Sequence, residues 1–207
     1  MDPAADFELL DRWRDGDKAA GQALFARHFD SLCGFFATKC NGEADELVQR
    51  TLLACVRSQQ QFRKEASFRT YLFTIARNEL YRVLRTRQRK GGAQVDFALS
   101  SIAELVSTPG TRMARNQEHR QLLEALQRLP VEQQTLLELH YWEDMDIAEL
   151  AKIFDAPAAT IRTRLHRARK ALRELVEHAA PPQILESLET MDAWAKGMGA
   201  HRPKERG

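Results

Sequence analysis

DIAELAKIFDAPAATIRTRLHRARKALR, residues 146 to 173, is the stretch whose reading decides the fold. Asp146 can cap a helix, and Glu149 three residues on completes a reciprocal capping box. Ile147, Leu150, Ala151 and Phe154 then recur at helical spacing. Asp155-Ala156-Pro157 interrupts the pattern: Asp tolerates a left-handed backbone, and Pro suits the first turn of a following helix. In that second helix Ile161, Leu165, Ala168, Leu172 and Leu175 make one apolar stripe. At about 100° per residue, Thr163, His166, Arg167 and Lys170 point the other way, with Arg162, Arg169 and Arg173 on one flank. A polar, cationic helix face after a tight turn fits a DNA major groove, where Arg grips guanine edges and Lys neutralises phosphate. The plainer alternative is a solvated basic helix in a bundle. The turn and the capped helix before it favour DNA recognition.

The surrounding composition agrees with a helical, soluble chain. Its 207 residues allow one or two domains, and 43% hydrophobic residues allow real cores. The formal net charge is only +2, so any nucleic-acid surface must come from locally concentrated basic residues. No run approaches a membrane span and no secretory leader is visible, so no membrane insertion and a cytoplasmic location are expected. Cys33, Cys40 and Cys55 lack Cys-x-x-Cys spacing and read as packed free thiols. No nucleophile–base set, metal-ligand spacing or phosphate-cradling Gly loop is found. Catalytic residues, metal ligands and cofactors are therefore not expected.

In chain order, Asp6–Arg14 predicts a short helix with Phe7, Leu10 and Trp13 on one side. Asp17 caps a second helix whose apolar face takes in Leu24, Phe25, His28, Phe29, Leu32, Phe35 and Phe36. A third helix, from Glu43 to about Gln60, turns Leu47, Val48, Leu52, Ala54, Cys55 and Val56 mostly inward. Phe62–Ser67 is a polar connection, and Ser67 caps a long fourth helix to about Arg89. There Phe68, Leu72, Ile75, Ala76, Leu80 and Val83 form the buried side. Tyr71, Arg77, Asn78, Tyr81, Arg82 and Arg85 are left for solvent. Aromatic rings between Arg and Asn suit unstacked bases, which stack on rings while Arg holds phosphate.

Residues 91–115 change character: Gly-Gly, Ser, Thr and Pro-Gly mark a linker, yet Phe97, Leu99, Ile102, Leu105 and Val106 predict that it docks. Arg112–Arg128 and the segment after Pro130 add two helices before the opening stretch. Beyond Pro181-Pro182, a short tail helix gathers Ile184, Leu185, Leu188, Met191 and Trp194. The expected architecture is all-α. It comprises a first domain at 1–90, a linker at 91–115, a helix-turn-helix domain at 116–178 and a C-terminal extension at 179–207.

Between Phe7 and Val176 the chain resembles the bacterial RNA polymerase sigma factors of the small, two-domain, extracytoplasmic-function class. The resemblance rests on Ala44–Thr51 (ADELVQRT), Phe62–Asn78 (FRKEASFRTYLFTIARN), Leu129-Pro130, Tyr141-Trp142, Ala148–Ala151 and Thr160–Leu172. It implies a promoter-specificity subunit that binds core polymerase at the β′ clamp helices and β flap and leaves catalysis to the polymerase. Asp45, Glu46, Gln49 and Arg50 would meet the clamp helices. The loop with Phe62, Arg63, Lys64 and Ser67 would hold a base flipped from the minus-ten element. Phe68, Tyr71, Asn78, Arg82 and Arg85 belong to the helix that follows it onto that element. Arg162, Thr163, His166 and Arg167, with Lys170 beside them, would read the minus-thirty-five element. The linker would thread toward the RNA exit path. Whether an anti-sigma factor is also a partner stays open. Lys64, Asp144, Asp155 and Ala159 stand where the family often has Gly, and Tyr71 where it often has Trp. A stand-alone helix-turn-helix regulator is the alternative; it would need a dimer and a palindromic site.

Overall fold

Apolar residues at helical spacing, with Gly and Pro kept to the breaks, yield helices and, among the described residues, no β-strand. The computed structural model describes residues 3–40, 42–89, 95–106 and 117–179. The first domain holds α1 (Pro3–Arg14), α2 (Lys18–Ala37), α3 (Ala44–Ser58) and α4 (Phe68–Arg89), with a 3₁₀ turn at Gln59–Gln61. Leu10, Leu24, Leu32, Leu47, Leu72 and Leu80 are fully or almost fully buried at its centre. Phe35 meets Phe36 and Phe73 edge-on, with centroids 5.0 and 5.6 Å away. Asp17 caps α2 by accepting from the Ala20 amide at 3.1 Å. Gly21 is required where α1 crosses α2, because a Cβ there would lie 2.7 Å from the Trp13 ring.

Two inward expectations fail in this domain. Phe29 and Val56 are 46% and 42% exposed, since their helix faces turn further round than the neighbouring helices reach. Helix α1 starts earlier than Asp6, and Asp6 is buried. Its carboxylate contacts His28 Nε2 and Arg27 Nε, each at 2.8 Å. The apolar placement of His28 thus includes an ionic partner 22 residues away.

The second domain holds α6 (Gln117–Arg128), α7 (Val131–Tyr141), α8 (Ile147–Phe154) and α9 (Ala158–Ala179). Helix α7 is buried nearly all round, from Val131 to Tyr141. Between the domains, residues 95–106 form a strap with one short helix, α5 (Ile102–Leu105), closed by a Ser101–Glu104 capping box. Phe97 of the strap stacks on Tyr81 at 4.1 Å, and Ile102 is fully buried. The Phe97 and Ser100 carbonyls accept from the Glu132 and Val131 amides at 3.0 and 2.9 Å. The strap thereby ties α4 to the start of α7. Leu99 departs from the docking expectation, at 75% exposure. The tail residues Ile184 to Trp194, the break at Pro181-Pro182 and the expected helix start at Arg112 lie outside the described residues.

The two domains also touch directly. Lys39, at the end of α2, pairs with Glu138 of α7, and Thr38 Oγ1 donates to the same carboxylate at 3.1 Å. Gln127 donates to the Thr38 carbonyl at 2.8 Å, and Gln134 to Glu138 Oε1 at 2.8 Å. Lys39 is 0% and Glu138 3% exposed. Buried charges of this kind persist only when paired and hydrogen-bonded.

Candidate nucleic-acid interface

The turn between α8 and α9 has the geometry its residues dictate. Asp146 accepts from the Glu149 amide at 2.8 Å, and Glu149 accepts from the Asp146 amide at 3.1 Å, which completes the capping box. Asp155 closes α8 in the left-handed region, φ 48° and ψ 52°. Ile161, Leu165, Ala168 and Leu172 are buried, and Leu175 half-buried. Arg162, Thr163, His166, Arg167, Lys170 and Arg173 all face solvent. Arg169, expected beside them, turns to the Tyr141 hydroxyl at 3.4 Å, and Arg164 pairs with Glu132. Those two arginines fix α9 on the bundle.

The loop from Phe62 to Ser67 is anchored at both ends. Phe62 stacks on Tyr71 at 4.3 Å, and Tyr71 bonds Ser58 Oγ at 2.5 Å. Burial pushes the Tyr71 phenol above its usual range. Arg14 donates to the Phe62 carbonyl at 2.6 Å. Ser67 caps α4, accepting from the Thr70 amide at 3.1 Å. Arg63 is exposed, whereas Lys64 bends back to Asp11 at 2.5 Å. Lys64 has φ 58°, Asp144 φ 51° and Asp155 φ 48°. These are three of the four positions where the sequence carries a side chain in place of a common glycine. The fourth, Ala159, sits in ordinary backbone in the first turn of α9.

Along α4, Asn78, Arg82 and Arg85 are exposed on one side, continuous with half-buried Tyr71. Arg82 pairs with Glu79 at 2.5 Å, and the Arg85 guanidinium sits 5.0 Å over the Phe97 ring. Two residues expected in solvent are not there. Tyr81 is buried under Phe97, and burial pushes its phenol up to about 12. Arg77 donates to the Ile153 carbonyl at the end of α8, between the rings of Tyr81 and Phe154. A cation at a helix C-terminus is well placed, since the last carbonyls lack intrahelical partners. Phe68 is fully buried and holds the loop from below.

On α3, Asp45, Glu46 and Gln49 are exposed and Arg50 half-buried, with Arg50 paired to Glu46 at 2.5 Å. Leu53 and Val56 continue that face into solvent, at helical spacing from Gln49. Sequence reasoning passed over Leu53 and turned Val56 inward. Their i, i+3 separation, in phase with Glu46 and Gln49, was the available signal.

The matches with known proteins follow this division of the chain. A sigma-70 region 2 model matches residues 24–90, and a sigma-70 region 4 model matches residues 119–172. RNA polymerase sigma factor CarQ of Myxococcus xanthus is 31% identical over 172 residues, covering 81% of this chain and 95% of that protein. The ECF RNA polymerase sigma-E factor of Haemophilus influenzae is 26% identical over 185 residues, 86% of this chain and 96% of that protein. Among solved structures, the sigma factor RpoE of Bartonella quintana, bound to the anti-sigma factor NepR, shares 25% identity with a TM-score of 0.59. The match covers 75% of this chain and 96% of that one. CnrH in complex with the cytosolic domain of CnrY shares the fold at 22% identity and a TM-score of 0.62, covering 85% and 99%. With region 2 matched across the first domain and region 4 across the helix-turn-helix, this chain belongs to the extracytoplasmic-function class of RNA polymerase sigma factors, which recognise promoters and initiate transcription.

Proposed function

We propose that each surface described above has one task in promoter recognition. Helix α9 enters the major groove of the minus-thirty-five element with Arg162, Thr163, His166 and Arg167, while Lys170 meets phosphate. The observation that carries this reading is the solvent exposure of those five side chains opposite a buried stripe. The Phe62–Ser67 loop, together with Tyr71, Asn78, Arg82 and Arg85, takes the minus-ten element, and the loop captures an unstacked base. Strand opening is then differential binding, since holding the flipped base stabilises the open state. Catalysis stays with the polymerase.

Core polymerase docks on α3 through Asp45, Glu46, Gln49 and Arg50, around an apolar centre of Leu53 and Val56. Apolar residues ringed by polar ones are the usual make-up of such a contact. The clamp helices of β′ are the partner proposed for α3, and the β flap for the second domain. The Bartonella quintana sigma factor was captured with an anti-sigma factor, which supports such a factor as a further partner. The chain then works in the cytoplasm, on the nucleoid when in holoenzyme. Run-off transcription with core polymerase on a promoter from the source genome tests this assignment. Glu46→Lys with Gln49→Ala should remove transcription and core affinity while helicity stays intact. Normal core affinity in the folded variant would sink the α3 assignment.

A further inference from the structure

Helix α1 has two working faces. Leu10 and Trp13 look into the bundle, Leu10 fully buried and Trp13 edge-on to Phe25 at 5.0 Å. Phe7, Asp11 and Arg14 follow one another at spacings of four and three, about 100° further round the helix. All three meet the segment around the Phe62–Ser67 loop. Arg14 donates to the Gln59 carbonyl at 3.0 Å and to the Phe62 carbonyl at 2.6 Å. Those carbonyls lie where the 3₁₀ turn ends, so one guanidinium fixes the direction in which the chain enters the loop. The Phe7 ring lies 6.5 Å from the Phe62 ring. Both oxygens of Asp11 accept from Lys64 Nζ, at 2.5 and 2.6 Å.

These contacts supply what the loop backbone does not. Among the described residues, no backbone–backbone hydrogen bond has its donor or acceptor at 63–66. Lys64 stands at φ 58°, a conformation that is costly for a residue with a Cβ. Its long side chain is what reaches Asp11, 53 residues earlier. The α1 contacts lie wholly within the first domain, so they do not depend on where the second domain sits. A loop already held in its binding shape loses less freedom on binding than a slack one.

We propose that Asp11 and Arg14 are positioning residues for base capture: acting through Lys64 and Phe62, they hold the loop in its receiving shape before DNA arrives. The proposal rests on reading Phe62–Ser67 as the minus-ten loop. Neither residue touches DNA. The side chain that stands in place of a common glycine at 64 is the anchor by which α1 sets the loop.

The test uses the full chain in holoenzyme, on the run-off promoter as a closed duplex and as a template pre-opened at the minus-ten element. Asp11→Ala removes the exposed ion pair and is expected to slow opening of the closed duplex about threefold. Arg14→Gln removes the charged donor to two carbonyls and is expected to slow it about tenfold. Both should leave transcription from the pre-opened template unchanged, which a merely unstable fold would not. Thermal unfolding reports whether each variant folds; if Arg14→Gln does not, Asp11→Ala decides. Tryptic cleavage after Arg63 should rise in both. Exchanging the charges, Asp11→Lys with Lys64→Asp, should restore the opening lost in Asp11→Lys, since Asp tolerates the left-handed backbone. Equal loss on the two templates, or no loss on either, overturns the positioning role. An exchange that restores nothing overturns the link through Lys64. Phe62→Ala separates the two readings. If it slows opening while the α1 variants do not, the loop reading stands and only the positioning fails. If it leaves opening untouched, the loop reading falls and takes the positioning with it.

Discussion

Helices α9 and α4 both carry polar faces suited to nucleic acid, but they are presented differently. On α9 the reading residues are exposed to solvent and touch only their own helix, and the arginines that face the bundle, Arg164 and Arg169, are spent on Glu132 and Tyr141. On α4 the outer residues Asn78, Arg82 and Arg85 are open, while Arg69, Thr70 and Arg77 are held by the second domain. The difference teaches that a helix face is set by its own sequence, and its availability by the rest of the chain.

Removing the buried cation at the domain contact should break the comparison most strongly. Lys39→Ala leaves Glu138 without its ion-pair partner, a change worth about 3–5 kcal/mol where the charge stays buried. Once the domains part, Glu138 regains water, so the cost falls on docking and not on either fold. Small-angle scattering should report a larger radius of gyration with helicity unchanged. Lost helicity at unchanged size would assign the pair to the fold itself.

Arg162→Ala and Arg167→Ala act on the open face alone. Each should cost about 1–3 kcal/mol of minus-thirty-five binding if it grips a base, with specificity relaxed at one position. A titration of holoenzyme on duplexes varied in that element measures it. A uniform loss over all sequences would make the residue a phosphate contact.

Lys64→Gly tests the covered side at smaller scale. A left-handed backbone costs a residue with a Cβ about 1–2 kcal/mol. The exposed pair with Asp11 returns at most about 1 kcal/mol. Thermal unfolding should show a gain of about 1 kcal/mol or less, and Lys64→Val should show a loss.

The smallest effect is spectroscopic. The buried Tyr81 phenol is pushed up to about 12, against about 10 in an open chain. A raised acid favours its neutral form when docked, so the strap's contribution is complete below about pH 10. It is lost as pH climbs from there through the docked value near 12. Phe97→Ser should return Tyr81 toward 10 while leaving Tyr71 where it is. Ultraviolet titration of tyrosinate reads both. An unmoved Tyr81 would place its burial elsewhere than under the strap.

What was legible in the sequence divides along the same line. The α8–turn–α9 unit is local: its cap, its left-handed closure and its stripe all fall within one short stretch, so spacing alone is enough. The strap's capping box, Ser101-x-x-Glu104, was equally local and was passed over because the linker was read by composition. The cover on α4 was out of reach. Lys39 meets Glu138 across 99 residues and Arg77 meets Ile153 across 76, and a helical wheel cannot show which face a distant element will take. Tyr81 was assigned to solvent for that reason. Asp6 was hidden likewise, since its partner lies on another helix.

The strap also makes the second domain a tethered competitor, with a consequence for trafficking. A covalent tether can hold a linked group at an effective concentration of the order of 1 mM. A stray nucleic acid at about 1 μM meets that advantage at a thousandfold deficit, about 4 kcal/mol at equal intrinsic affinity. Chance encounters with DNA or RNA through the first domain alone are therefore expected to be turned away. A ligand that holds both domains at once escapes the penalty, because each attachment removes the other's competitor. Polymerase and a two-element promoter are ligands of that bivalent kind, so the chain is drawn to them past a large excess of single-site nucleic acid.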